Sequence, residues 1–434
     1  FVLPCGDNRY IVQYVNATDF NIWFFMLVDV SNGFNVLSTI SIYNAHTPHF
    51  CNLNDGNMAL IYMESENSFT IDIYDIQQSF QLISTYRLFD ENIGSIGTAG
   101  IGQIEDTRII AMKGWDIFAC DYLSGNISGH TLLEISQAEK PFDYYAQNGY
   151  FDWVPYPVGG NKFLCFTAFS NSNRHSMLFE VEGTSLNVIE DNSSLFPQYS
   201  YIGNNVWGLG FLDGKMLYTK TGKSTESTTV GTNVIDYWKA YVLYVNNNKI
   251  MQSSEIDIYQ IVANVFENLP IYDFYPVDTY SSGTIQFARV NVIYAAVMPY
   301  WYQVSGSYTT IGNPHCRTAI IRIEYNPNTG VFSNSNIITF ESEDSFGERN
   351  ARRFGFGKFF ENENGDAYYL YETYDSGAGK TGRWIMSLNY KNGVLSLGKT
   401  TKFVENYNGE NAIGVAKDSG KPGDVIEVYI PTPV

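Results

Sequence analysis

Cysteine, basic residues, long apolar runs and helical periodicity are all scarce in this sequence, and each scarcity excludes something. Five cysteines in 434 residues are too few and too scattered for a disulfide framework. Only 26 Lys and Arg stand against 45 Asp and Glu, a formal net charge of −19. A chain of that sign repels a phosphate backbone, so nucleic acid is not an expected partner. No apolar run approaches the roughly 18 residues of a membrane-spanning helix; the longest, IWFFMLVDV from Ile22 to Val30, is strand-sized. Nucleophile elbows, phosphate-cradling loops and dinucleotide fingerprints are missing, and so are Asp-box repeats of the sialidase type.

What the chain has is apolar and aromatic mass: 44% hydrophobic residues, with 33 Tyr and 29 Phe. These fall in short alternating runs separated by Asn, Gly, Asp and Ser, the pattern of an all-β protein. The runs recur in a fixed order, as in HTPHFCNLNDGN, MALIYMES, FTIDIYDI, FQLISTYRLF or, later, RRFGFGKFFENENG, DAYYLYETY, RWIMSLNYKNG, VLSLGKTTKF. Each unit opens on a segment rich in glycine or small residues, continues with two strongly apolar strands and ends on a more polar fourth. SNG, NENG, KNG and LDG supply the positive φ of tight hairpin reversals.

Four-strand units at this spacing predict a single β-propeller of seven or eight blades. The units begin near Phe1, His46, Asn92, Pro141, Tyr199, Pro270 and Ser345. The remaining stretch, 409–434, either closes the ring with the N-terminus or forms a thin eighth blade. The first segments should be innermost, where crowding favours glycines such as Gly100, Gly102, Gly208, Gly210, Gly355 and Gly357.

Connections from an outer strand to the next inner strand open onto the channel mouth. SEDSFGERNARRF places Arg349, Arg352 and Arg353 there, just after Glu341, Glu343, Asp344 and Glu348. Equivalent connections supply Tyr144, Tyr145 and Trp153; Tyr201, Asn204 and Trp207; Tyr272 and Tyr275; and Tyr407. Aromatic faces give area at low entropy cost, amides give hydrogen bonds, and guanidinium forks grip anions. The arginines also suit ion pairs with the acidic run, which contribute little at a surface; both readings stand if only some are paired.

Other chemistry is thinly represented. His46, His49 and Cys51 lie close together in HTPHFC, and His315 with Cys316 in NPHC, but zinc needs a fourth ligand and convergence of these segments. No metal or cofactor is therefore expected. Cys5 and Cys51 occupy corresponding places in consecutive units, so a bond between them is open. Sequons begin at Asn16, Asn126 and Asn192. The chain opens on Phe1 rather than Met, which suggests that a leader has been removed or precedes this sequence.

The segment GFGKFFENENGDAYYLYE…GRWIMSLNY, with VWGLGFLDGKMLYTK upstream, resembles a family of Bacteroidota surface propellers that includes xenosiderophore-binding lipoproteins. The resemblance covers about the last half of the chain and implies non-catalytic ligand capture on the funnel face, beside an outer-membrane transporter. Composition and resemblance together set three expectations in order. The first is an extracellular or cell-surface propeller binding a small anionic aromatic chelate or a glycan. The second is a structural subunit of a surface filament or virion appendage, buried against neighbouring subunits. The third is a glycan-active enzyme.

Overall fold

The protein is described by a computed structural model. It covers residues 2–6, 8–15, 22–43, 46–65, 68–77, 79–89, 99–113, 116–135, 154–168, 174–192, 204–223, 234–263, 265, 271–272, 283–297, 301–305, 308–312, 317–341, 353–375, 380–406, 412–416 and 428–429.

Hairpin chemistry sets the local structure. In LDGK and KNGV, Asp213 and Asn392 take φ of 49° and 55°, and the glycines after them 70° and 78°. Those are the two positive-φ positions of a type I′ turn, whose twist matches the strands on either side. Repeated reversals of this kind lay consecutive strands side by side. The outcome is seven antiparallel sheets, each built on four strands, in a ring. Their first strands are Val2–Pro4, His46–Asn52, Gly100–Glu105, Tyr156–Gly159, Asn204–Leu212, Gly283–Arg289 and Arg353–Glu361. The protein is a seven-bladed β-propeller.

Alternation along the strands gives each blade two apolar faces, one for each neighbour. Leu60 faces blade 1, packing with Ile11 and Phe25, while the next residue, Ile61, packs with Ile101 and Ile109 of blade 3. Ile110, Phe163 and Met177 join blades 3 and 4. Met216 and Tyr218 of blade 5 meet Tyr156 and Phe166 of blade 4. Leu217 and Val242 meet Ile293 and Ile321 of blade 6, and Tyr294 and Ile320 meet Phe359 and Tyr369 of blade 7. Finally Phe360 and Ile385 pack on Tyr10, Val12 and Val28 of blade 1, which closes the ring. Each fully buried Ile, Leu or Phe contributes roughly 1.5–3 kcal/mol.

The first strands lie innermost. Those of blades 2 and 3, 3 and 4, 5 and 6, and 6 and 7 approach one another directly, and the first strands of blades 1 and 5 approach across the channel. The crowding is tangible at Gly102, where a side-chain Cβ would overlap the carbonyl of Pro155 on the adjoining blade.

Two features depart from a plain four-strand repeat. The fourth strand of blade 5 is broken into Lys249–Gln252, Ile256–Asp257 and Ile271–Tyr272, all paired with the third strand, Val234–Asn246. A short helix, Ile258–Ala263, interrupts it, capped by Asp257, whose carboxylate accepts the Gln260 amide at 3.1 Å. Its Ile258 and Val262 fill the layer between blades 5 and 6. The second departure corrects the expectation for 409–434. Ala412–Ala416 pairs with Val394–Asn406, and Val428–Tyr429 pairs with Ala412–Ala416. These strands widen blade 7 outward, so they neither reach blade 1 nor build another blade. The open edge of Val394–Asn406 offers unpaired backbone groups and takes them up.

Cys5 and Cys51 form no disulfide. Strand alternation explains it: Cys5 borders the layer between blades 1 and 2, whereas Cys51 borders the layer between blades 2 and 3. Among the described residues no helix is long and apolar enough to cross a membrane.

Candidate functional site

Antiparallel order gives the ring two distinct ends. First-to-second and third-to-fourth turns lie at one; second-to-third connections and entries into each first strand lie at the other. Arg353 and Asn204 open the first strands of blades 7 and 5, pairing with Tyr374 and Gly222. Their backbones therefore lie at the same end of the ring, the entry end. Trp207 lies three residues further along its strand, opposite Thr219. Tyr272 pairs with Val234 in the outer, fourth-strand position of blade 5. Arg349, Arg352, Tyr144, Tyr145, Trp153, Tyr201, Tyr275 and Tyr407 lie outside the described residues, as do His315 and Cys316.

The strand HTPHFCN pairs with Asn57–Ser65, His49 opposite Ile61 and Cys51 opposite Ala59. Burial lowers the His49 pKa to about 4 and raises the Cys51 thiol to about 12. No three metal-ligating side chains converge among the described residues.

The opposite end holds an ionic network that sequence reading missed. Glu361, at the end of the first strand of blade 7, is 1% exposed. Its carboxylate accepts two donors of Arg322, Nε at 2.8 Å and Nη2 at 2.9 Å, across the junction with blade 6. The Tyr294 hydroxyl donates to it at 2.6 Å. The remaining branch of Arg322 donates to Glu324 at 2.9 Å, and the guanidinium lies 3.6 Å from the centre of the Tyr390 ring. Tyr390 in turn donates to Glu324 at 2.9 Å. Two charge-assisted bonds in fork geometry hold the buried carboxylate and compensate for its desolvation.

Each charge shows in its neighbours. Burial, then the adjacent Glu361 charge, raises the Tyr294 pKa well above the phenol range. Burial opposes the Arg322 charge, yet its bonds to Glu361 outweigh that and raise its pKa. Burial pushes Glu324 up, but hydrogen bonds from Arg322, Tyr390 and Asn334 hold it below the usual carboxylate range. A second buried carboxylate, Asp72, accepts from Tyr62, Tyr74 and Thr85 within blade 2. Each of these carboxylates is engaged by fixed donors, Glu361 across the junction of blades 6 and 7 and Asp72 inside blade 2. The signal was a charge set directly against apolar neighbours: Arg322 in AIIRIEY and Glu361 after KFF.

No protein-family model matches the chain, and no curated protein is similar to it. Solved propellers are similar in outline. The β-propeller domain of Vanderwaltozyma polyspora Nup133 is 10% identical, with 98% of this chain and 97% of that one covered and a TM-score of 0.36. A 6-phosphogluconolactonase, so described provisionally, from Bacteroides fragilis is 10% identical over 91% and 94%, with a TM-score of 0.39. Hsv2 of Kluyveromyces lactis is 12% identical over 91% and 96%, with a TM-score of 0.38. At these values the likenesses carry no argument about activity or partner.

Proposed function

We propose that this protein is a non-catalytic binding propeller whose ligand sits on the entry end of the ring, at the mouth of the channel. One observation carries the reading: the strand order brings the entry points of blades 5 and 7, marked by Asn204 and Arg353, to that end. The described Arg322–Glu361 network lies at the other end and is engaged within the fold. Arg349, Arg352 and Arg353 are the proposed anion contacts, with Tyr144, Tyr145, Trp153, Tyr201, Trp207, Tyr275 and Tyr407 as aromatic lining. A guanidinium suits a carboxylate or a chelate oxygen, and the aromatic residues suit ring faces. The proposed setting is extracellular or at a cell surface, in keeping with the resemblance to Bacteroidota surface propellers; an outer-membrane transporter is then a fitting partner.

The test is quenching of intrinsic tryptophan fluorescence by two probes, a ferric tris-catecholate chelate and a panel of acidic oligosaccharides. Saturable binding of either, weakened in Arg352→Ala and Arg353→Ala, supports the proposal. Binding of neither overturns it.

A further inference from the structure

The outermost strand of a propeller blade leaves a row of N–H and C=O groups unpaired. Proteins protect such edges with charge, glycine or proline, short length or a covering segment. Six of the blades do so. Blade 2 has Arg87 within Gln81–Phe89, and blade 4 has Glu190 and Asp191 within Ser185–Asn192. Blade 3 uses a seven-residue strand, Asn126–Leu132, interrupted by Gly129. The fourth strand of blade 5 is broken by its helix. In blade 6 the Phe332 amide donates to the Ser254 hydroxyl at 3.1 Å, and the strand ends on Glu341. Blade 7 is covered by Ala412–Ala416 and Val428–Tyr429.

Blade 1 is the exception. Its fourth strand, Asn35–Tyr43, runs nine residues as NVLSTISIY, with no charge, glycine or proline. Val36 packs toward blade 7, and Leu37, Ile40 and Ile42 pack toward blade 2. That leaves the backbone edge and Tyr43, which is 62% exposed. The fourth strands of blades 2 and 3, 4 and 5, and 6 and 7 approach one another in pairs. Among the described residues, that of blade 1 has no neighbour of that breadth outside its own sheet.

We infer that this edge is the interface of a two-fold dimer, in which Asn35–Tyr43 pairs antiparallel with the same strand of a second copy. The two blades then form one eight-stranded sheet. The strand is self-complementary, which selects a second copy as the occupant. Its pairing with the third strand is regular from Ser38 to Tyr43. A two-fold axis at Ile40 sets Thr39 against Ser41 on either side of it, a hydroxyl pair that stabilises antiparallel strands. Ile40 then faces its own copy. Charge points the same way: two chains of net charge −19 repel, and an uncharged edge lets them meet with no like charges opposed. Blade 7 shows that an edge in this ring accepts further strands. One strand edge is smaller than a standard interface of roughly 1,600 Å², so the dimer is reversible and concentration-dependent.

The experiment is sedimentation equilibrium of the full chain over a range of concentrations, at low and high sodium chloride. The wild type is expected to reach twice the monomer mass. It should do so at lower concentration in high salt, because the screening length shrinks from about 10 Å at 0.1 M to about 3 Å at 1 M. Ser41→Lys with Tyr43→Lys is expected to abolish the dimer, although it lowers the net charge, with the unfolding midpoint unchanged. Tyr43→Lys alone, at an exposed side chain, shows the loss if the double variant does not fold. Leu82→Lys, at an exposed residue on the outer strand of blade 2, is the control and should dimerise as the wild type does. A wild type that stays monomeric overturns the inference; if it takes up a lysine-flanked peptide of the strand, the edge belongs to a foreign strand instead. A dimer that survives both edge variants, or is lost in Leu82→Lys, also overturns it. So does a dimer that weakens as salt rises, because it rests on ion pairs.

Discussion

The hydroxyl of Tyr10 lies 2.7 Å from the carbonyl oxygen of Glu361 and accepts that residue's amide at 3.0 Å. A third blade joins through the Ala288 carbonyl, 2.8 Å from the same hydroxyl. Beside it, the Asn362 side chain donates to the Val30 carbonyl at 3.1 Å and orders its own turn by accepting the Asn364 and Asp366 amides. The described blades 1 and 7 share no strand, so side chains and the apolar layer around Phe360 carry the closure.

Removing one oxygen tests that closure. Tyr10→Phe leaves the ring in place but strands a buried amide and carbonyl of Glu361, an expected loss of about 1–3 kcal/mol. Urea unfolding followed by tryptophan fluorescence measures it. An unchanged midpoint would mean that apolar packing alone closes the ring.

The Arg322–Glu361 pair should behave asymmetrically. Glu361→Gln leaves the nearly buried guanidinium with only the Glu324 carboxylate, so the expected cost falls toward the lower end of the range of about 3–5 kcal/mol for a broken buried pair. Replacing both partners, as Arg322→Met with Glu361→Leu, should recover most of that loss, because the desolvation cost disappears with the charges. A double-mutant cycle on unfolding free energies reads the coupling. Additive losses would show that the two residues act independently.

Gly357 marks a close approach within blade 7. A Cβ there would overlap the Tyr369 ring, which stacks between Phe359 and Tyr371 at centroid distances of 4.4 and 5.1 Å. Gly357→Ala is expected to destabilise by about 1–3 kcal/mol through overpacking. Thermal unfolding with no loss would mean that the stack shifts freely.

His49 predicts an acid-side slope. Its folded pKa of about 4 lies below the unfolded 6.5. Between those values the unfolded chain binds the proton more tightly, so stability is full above 6.5 and falls as the pH drops toward 4. Carboxylates titrate in the same window, so the comparison is between the wild type and His49→Leu. The variant should lose less stability from pH 6.5 to pH 4, and parallel curves would contradict the assignment.

The blades were legible because their signals are local. Glycines at Gly102 and Gly357 mark crowded first strands, and turns such as LDG and KNG mark reversals. What was not legible depends on partners distant in sequence. Nothing in NAIGVA says that it pairs with TTKFVEN rather than with the N-terminal strand, since edge pairing is a backbone property. Arg322 was passed over because an arginine among alternating residues usually faces water. Only the neighbouring blade supplies the carboxylate that buries it. For the binding face, the placement of Arg353 and Asn204 at one end follows from strand order, while Tyr272 lands on an outer strand because blade 5's fourth strand is broken.

The central claim is that the entry end of the ring binds an anion through the arginine connection. Calorimetric titration of the wild type and of Arg352→Ala and Arg353→Ala, with the ferric tris-catecholate and with acidic oligosaccharides, tests it most directly. The account predicts one saturable site, weakened by roughly 1.5–3 kcal/mol in each variant, the scale of a charge-assisted hydrogen bond, with the unfolding midpoint unchanged. Binding that is identical in all three proteins, or absent from the wild type, would contradict it.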